Sequence, residues 1–417
     1  LRSDYRPPEG HVPAAMDLSV NRGRPMVELR DLRNQLLAGR DSVIVGATPE
    51  QTFNLATLDD NSPVQSLFDL ILIDEATQMD VAHAVLPLCT VAPRGSVILA
   101  GDPKQLPPIH QAEPPLGLEA MLGPSYVFFR DVHGVGEDML EENYRSAGEI
   151  VTFCRQAGYP DTFRSWSPDL MVRYTDVIPD AQPADWPAQL VFSADFRRIL
   201  DPAHRCVCVV YDDGRSSQSN RFEADMVASL AWLIGGRLHQ QLANERHPVT
   251  GINIPAADGA YAAERFWQEA LGIVTPHRAQ QALVTARLQE LFRGRGNPEL
   301  IRDAVDTVER FQGQQRDVIV CTFAMGDPDQ IAEEDEFLHS LNRFNVMASR
   351  ARAKLVVLVS QQIVDHLASD LEVLRESRLL KTFVETFCNQ STPASFGWAH
   401  DGRVHRVDAL VRVHGGQ

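Results

Sequence analysis

Two carboxylates stand side by side at the end of an apolar run. In "LILIDEATQMD", Leu70 to Ile73 lead directly into Asp74 and Glu75. Adjacent carboxylates at the end of a buried strand repel each other, so keeping both ionised requires a cation or an arginine to offset the cost. A strand that delivers Asp and then Glu to its C-terminal end suits a site for a nucleotide and Mg²⁺. In that chemistry Asp74 holds the Mg²⁺ directly or through its water shell. Glu75 orients and deprotonates an attacking water. The bland alternative is a helix N-terminus, where acids are also favoured. "GDPKQLPP" follows 27 residues after Asp74, at the end of the next apolar run. A Gly-Asp turn there brings Gln105 to the same sheet edge, where an uncharged amide can sense a γ-phosphate.

The elements that must position these residues read as an α/β protein. "MVELRDLRNQLL" (26–37) has helical spacing. "SVIVGATPE" predicts a buried strand over 42–46, "LFDLILID" a second and "GSVILAGDP" a third, with a helix near 79–88. Short apolar strands separated by helix-sized intervals predict a parallel sheet covered on both faces. "DMLEENYRSAGEIVTFCRQ" closes this half. Prolines at 160, 168, 179, 183 and 187 mark 161–200 as a connection. A second set of strands follows at 206–212, 271–276, 305–311, 317–323 and 354–360. Helices are expected within 221–238 and 277–293, and 242–262 reads as a surface insertion. The predicted organisation is thus residues 1–40 as the tail of an inserted or upstream region, 41–160 as a first lobe, 161–200 as the connection, 201–390 as a second lobe and 391–417 as a C-terminal tail.

The 417 residues are 44% hydrophobic and 23% charged, which is ordinary for a water-soluble globular chain. No apolar run approaches the ~20 residues that span a bilayer, and six scattered cysteines make no zinc pattern, so reduced core thiols and a cytoplasmic location are expected. A net charge of −17 argues against a protein that coats nucleic acid generally, but not against a local basic groove.

"DEATQ" and "GDPKQ" resemble motifs II and III of superfamily 1 helicases, in the Up-frameshift/senataxin (B) branch. The later strings agree. "ENYRS" (142–146) is similar to that branch's Q-Y-R element, "GIVTPHRAQ" (272–280) to motif IV, "VDTVERFQGQQRDVIV" (305–320) to motif V, and "LNRFNVMASRARAKLVVL" (341–358) to motif VI. Their order and spacing match over roughly residues 42–360. The resemblance implies two RecA-like parallel-sheet lobes, the first incomplete, with ATP and Mg²⁺ as cofactors and single-stranded DNA or RNA as partner. It implies that Arg145 and Arg350 reach the γ-phosphate, the positive charge that phosphoryl transfer needs, and that Tyr144 stacks on the adenine. Gln312 and Gly313 then form a nucleotide-facing turn. Gln315 stands where the family usually has a glutamate. It still accepts a hydrogen bond from a ribose hydroxyl, without charge. Arg352 either contacts the nucleotide or braces motif V. Thr48, His277 and Thr307 resemble contacts to the nucleic-acid backbone, with a helix start after Pro276 as the plain alternative for His277.

A phosphate loop, G-x-x-x-x-G-K-[ST], is missing from this stretch. There is no Gly-Lys pair, and the three lysines are Lys104, Lys354 and Lys381. Three explanations stand: the loop lies elsewhere in a longer polypeptide, a partner supplies it, or hydrolysis is lost. The persistence of Asp74, Glu75, Gln105, Arg145 and Arg350 favours the first. The leading expectation is the C-terminal motor region of an ATP-dependent helicase or translocase, with 5′-to-3′ polarity implied by resemblance alone. The alternatives are a non-hydrolysing clamp on nucleic acid or protein, and a helicase lobe fused to a nuclease that lies outside this chain.

Overall fold

The structure is a computed structural model that describes residues 27–39, 42–58, 63–108, 115, 117–255 and 258–415. It divides into two compact units, Leu1–Asp138 and Met139–Gln417. Most of the segment expected to be the tail of an upstream region lies outside the described residues.

In the first unit, β1 (Phe68–Ile73) and β2 (Val91–Leu99) pair in parallel, with Leu70 opposite Ser96 and Ile73 opposite Leu99. The helix Val81–Leu88 crosses between them, opened by Asp80, whose carboxylate accepts from the His83 N–H. Ile71, Ile73 and Ala76 form the buried face, packed by Met79, Leu88, Val91, Leu99 and Tyr126. Two expectations fail here. Residues 42–48 join no strand ladder among the described residues, and Ile44 is fully exposed. β1 is also not buried on both faces: Leu70 and Leu72 are 56% and 61% exposed. The four-residue apolar run predicted a covered strand, whereas a two-stranded pair covers one face only.

The second unit is built on a seven-stranded sheet: β10 (Gln390–His400), β11 (Arg403–Val413), β5 (Cys206–Tyr211), β9 (Ala351–Ser360), β8 (Arg316–Thr322), β6 (Leu271–Thr275) and β7 (Val305–Thr307), in that spatial order. Its parallel part comprises β5, β6, β7, β8 and β9. β5, β6 and β8 are buried at every position, as expected for strands covered by crossover helices. Helix Arg221–Ile234 packs against helix Arg278–Leu291 on the sheet. Gly272 is dictated by packing: a Cβ there would lie 2.5 Å from Phe311 Cζ and 2.8 Å from Ile319 Cδ1. All six cysteines are free, five buried and Cys89 exposed.

Three boundaries differ from the sequence reading. Residues 139–160 belong with the second unit: helix Gly148–Arg155 sets Phe153 against Phe344, Phe383 and Phe387. The connection is not structureless, since β4 (Arg164–Ser165) pairs with β3 (Glu142–Asn143), and Trp186 packs on Trp232. The strand predicted over 305–311 stops at Thr307, where helix Val308–Phe311 begins.

The expected C-terminal tail is instead a hairpin. β10 (Gln390–His400) and β11 (Arg403–Val413) pair antiparallel, and β11 joins β5. At the free side of β10, the Ser395 N–H donates to Asp195 Oδ2 at 3.2 Å, and the Ser193 hydroxyl donates to the Ser395 carbonyl at 3.3 Å. Val191 fills the space beside Gly397, where a Cβ would meet its Cγ1 at 2.4 Å.

Candidate functional site

In the first unit the chain leaves β1 at Ile73 and turns sharply. Glu75 adopts φ 53°, a left-handed conformation uncommon for a residue with a Cβ. The turn is held by Asp74 Oδ1, which accepts from the Glu75 N–H at 3.0 Å, and by Gln78 Nε2, which donates to Glu75 Oε2 at 2.8 Å. Asp74 is exposed and Glu75 half-buried, so the pair is not desolvated as a buried strand end implies. The end of β2 is tied alongside, with the Ala76 N–H donating to the Ala100 carbonyl at 2.8 Å. Gly101 passes so close to Thr77 that a Cβ would sit 2.9 Å from its backbone nitrogen. Gln105 Nε2 donates to Asp102 Oδ2 at 3.0 Å, and the Lys104 N–H to Asp102 Oδ1. Asp74, Glu75 and Gln105 therefore follow the ends of two adjacent strands. One exposed carboxylate beside a second fits Mg²⁺, which keeps most of its waters and takes few protein ligands. Among the described residues no group of three or more His, Cys, Asp or Glu side chains could hold a metal. Thr48, expected at a strand end, caps helix Pro49–Ala56 in a reciprocal box with Gln51.

In the second unit the residues expected at the nucleotide, Tyr144, Arg145 and Gln312–Gln315, gather where β8 and β9 begin. Residues 145–147 are laced to the start of β9. Arg145 Nη1 donates to the Ser349 carbonyl at 3.3 Å, the Ser146 hydroxyl to the Ala351 carbonyl at 2.7 Å, and the Ala147 N–H to the Arg352 carbonyl at 2.7 Å. Arg145 Nε also donates to Gln315 Oε1 at 3.0 Å. Gly313, at φ 78°, and Gln312 form the turn leading into Gln315. Tyr144 is 55% exposed, its hydroxyl donating to Glu142 Oε2 at 3.0 Å.

Of the two arginines of the 341–358 string, Arg350 stands differently from the sequence expectation. Arg350 is only 1% exposed, and its guanidinium folds back over its own helix, donating from Nε to the Val346 carbonyl at 3.2 Å. Such a group points into protein rather than toward an open edge. Arg352 follows the bracing alternative. Its Nη1 donates to Asp317 Oδ1 at 2.7 Å and its Nη2 reaches Glu245. Asp317 is fully buried, and burial raises its pKa against the opposing pull of Arg352 and the Tyr261 hydroxyl.

Thr307 and His277 lie at the other end of the sheet, where β7 and β6 finish. Each is 6% exposed. His277 packs 5.5 Å from the Phe337 ring, its Nδ1 3.6 Å from Glu334, and burial lowers its pKa. Arg343 sits 4.0 Å over Phe337 and pairs with Glu309, two residues beyond Thr307. Of the three residues expected to contact the strand, Thr307 and His277 lie at one edge, under cover, whereas Thr48 belongs to the first unit. Sequence reasoning missed Trp166, whose ring lies 5.1 Å from Tyr144, and Glu245, in the segment taken for a plain insertion. It also missed the buried carboxyl of Glu223, which accepts from Tyr211, Thr322 and the Ala324 N–H. "SWSPD" and "ANERHP" carry no periodic signal that flags such contacts.

An AAA-domain family model matches residues 129–362, more than half of the chain, and a second AAA-domain model matches residues 41–113. The chain belongs to this helicase family. It is similar to the Arabidopsis thaliana DNA replication ATP-dependent helicase/nuclease JHS1, at 23% identity over 313 residues, covering 72% of this chain and 20% of that protein. It is likewise similar to the human probable helicase senataxin, at 26% identity, covering 70% of this chain and 9% of that protein. The putative helicase mov-10-B.1 of Danio rerio is 24% identical, over 71% of this chain and 28% of that protein. The chain thus spans under a third of the length of each of these relatives. Within this helicase-family chain, no helix of the described residues is long and apolar enough to cross a membrane.

Proposed function

We propose that this chain is the C-terminal motor region of an ATP-dependent nucleic-acid helicase or translocase, moving 5′-to-3′ on single-stranded DNA or RNA. The observation that supports the reading is the separation of two residue groups at opposite ends of the parallel strands of the second unit. Tyr144, Arg145 and Gln315 gather where β8 and β9 start, whereas Thr307 and His277 sit where β7 and β6 end. A motor needs its nucleotide and its track on different faces of the same rigid body, so that a change at one is transmitted to the other.

In this reading Asp74 holds the Mg²⁺ that neutralises phosphate charge when ATP is bound. Glu75, whose carboxylate accepts from Gln78, takes the proton of the attacking water. Gln105 senses the γ-phosphate from its perch on Asp102. Arg145 supplies positive charge, Tyr144 stacks the adenine, and Gln315 accepts from a ribose hydroxyl. Arg350 takes part only after its side chain leaves the Val346 carbonyl, and Arg352 acts by bracing Asp317. The phosphate loop comes from the remainder of a longer polypeptide or from a partner.

Phosphate release in the presence of saturating single strands tests the reading. Strand-stimulated turnover is expected from the full-length protein and none from these 417 residues alone. Turnover of several per second by this chain alone contradicts the need for a loop from elsewhere. A full-length protein that binds strands but never hydrolyses ATP contradicts the motor.

A further inference from the structure

The segment taken from sequence as a surface insertion is fastened to the edge that carries Tyr144. Backbone bridges join His239 to Ala260 and Arg246 to Asn253, so the segment doubles back as a strap. Its inner side grips Trp166. The indole Nε1 donates to the His247 carbonyl at 3.3 Å, and Arg246 Nη1 donates to the Trp166 carbonyl at 3.4 Å. The Arg246 N–H donates to the neighbouring Ser167 hydroxyl at 3.0 Å. A Cβ at Gly251, where φ is 67°, would lie 3.6 Å from Trp166 Cζ2, so the strap's turn lies along the ring. From the other side, the Trp166 N–H donates to the Asn143 carbonyl at 2.9 Å. The ring so held lies 5.1 Å from that of Tyr144, at 35°.

Tyr144 has two rotatable side-chain angles and is more than half exposed. Left alone it would sample several rotamers and lose that freedom on binding a base. Trp166 backs one side of it and Glu142 holds its hydroxyl, leaving the remaining face open. The strap also reaches the other side of the same edge, where Glu245 holds Arg352, whose carbonyl in turn accepts from Ala147.

We propose that Trp166, clamped by the strap 244–253, is a positioning residue for the nucleotide base: it fixes the Tyr144 ring so that a purine finds one preorganised stacking face. The inference rests on the assignment of Tyr144 to the base. Aromatic pairing of this kind is worth about two- to tenfold in affinity.

The test uses the full-length protein and a ribose-labelled fluorescent ATP analogue, displaced by ATP or by inorganic tripolyphosphate. In Trp166→Ala the dissociation constant for ATP is expected to rise about two- to tenfold, with that for tripolyphosphate unchanged within about twofold. Trp166→Phe restores ATP binding to near wild type. Indole emission changes on adding ATP, does not change with tripolyphosphate, and the ATP response is missing from Trp166→Phe. Equal ATP affinity in wild type and Trp166→Ala overturns the proposal, as does an equal loss for both ligands. Should Trp166→Ala fail to fold, an ATP-induced emission change that persists in Trp166→Phe overturns it instead. A wild-type protein that binds ATP no more tightly than tripolyphosphate removes the stacking role of Tyr144 itself, and both readings fall together.

Discussion

Arg145 and Gln315 lie 170 positions apart in the chain and meet side chain to side chain, the guanidinium Nε donating to the amide oxygen at 3.0 Å. A neutral amide holds a cation in place without cancelling it, whereas a carboxylate there would pair with it. Arg145 is half-buried and Arg350 almost wholly buried.

The two arginines are therefore expected to differ on mutation. Arg145→Ala should lower ATP turnover of the full-length protein by about 10³-fold or more, the scale of a lost charge-stabilising arginine. Strand affinity without nucleotide should stay within about twofold, because Thr307 and His277 lie at the opposite end of the sheet. Arg350→Ala should also cost about 1–3 kcal/mol of stability by stranding buried hydrogen-bond partners. Turnover, strand binding and chemical denaturation on both variants separate the two cases. An Arg145→Ala protein with normal turnover rejects the assignment.

Glu75→Gln is expected to slow hydrolysis by about 10²–10⁴-fold, the usual contribution of a general base. ATP binding should survive, since Asp74 is untouched and the amide oxygen of the substituted side chain still accepts from Gln78. Single-turnover rates beside equilibrium ATP binding make the comparison. Retained turnover would remove Glu75 from the chemistry.

Glu223 gives a pH signature that does not depend on function. Burial raises its pKa to about 7, against the opposing hydrogen bonds from Thr322, Tyr211 and the Ala324 N–H. In the unfolded chain the group titrates at about 4.3. Between these values the folded state holds the proton and the unfolded state does not, so this contribution to stability is full below the lower value and is lost as pH rises toward 7. Glu223→Gln mimics the protonated carboxyl and should flatten that fall. Thermal midpoints from about pH 4.5 to 7.5, compared between wild type and variant, decide it; parallel curves would count against a protonated Glu223.

Gly272→Ala should destabilise the second unit by about 1–3 kcal/mol, the cost of overpacking a filled core. The added carbon has to displace Phe311 and Ile319, neither of which has open space around it. Urea denaturation reads the loss, and a change below about 0.5 kcal/mol would mean that the neighbours give way freely.

β5, β6, β8 and β9 were legible because each carries an apolar run, at 206–211, 271–274, 318–321 and 355–359, the signature of burial on both faces, whereas β7, with Asp306 at its centre, was read only as part of a longer strand. β1 has the same run, yet burial there depends on neighbours that a run of four residues cannot report. Helix Val308–Phe311 was hidden inside a strand-like string, since four residues give no period to read. The hairpin β10–β11 did leave a mark: Asp401 and Gly402 adopt φ 49° and 72°, the pair of left-handed angles that an Asp-Gly turn favours. Around it, Phe396, Trp398 and His400 alternate with smaller residues. The ordered motifs exposed Asp74, Glu75, Arg145 and Gln315, but not which arginine is reachable. Exposure of Arg350 is set by how helix Leu341–Ser349 ends, and that is a property of packing rather than of residue type.

The free side of β10 bears on how copies of this protein behave beside one another. Pro393 has no N–H to offer, Ser395 has both its backbone groups occupied by Asp195 and Ser193, and Val191 crowds Gly397. A sheet that ends in unsatisfied backbone groups can grow by recruiting a strand from the next molecule. Here that growth is blocked at three successive outward positions, so this edge recruits no strand from a neighbouring copy. Residues 191–195, which began as a proline-spaced connection, thereby act as a guard against polymerisation.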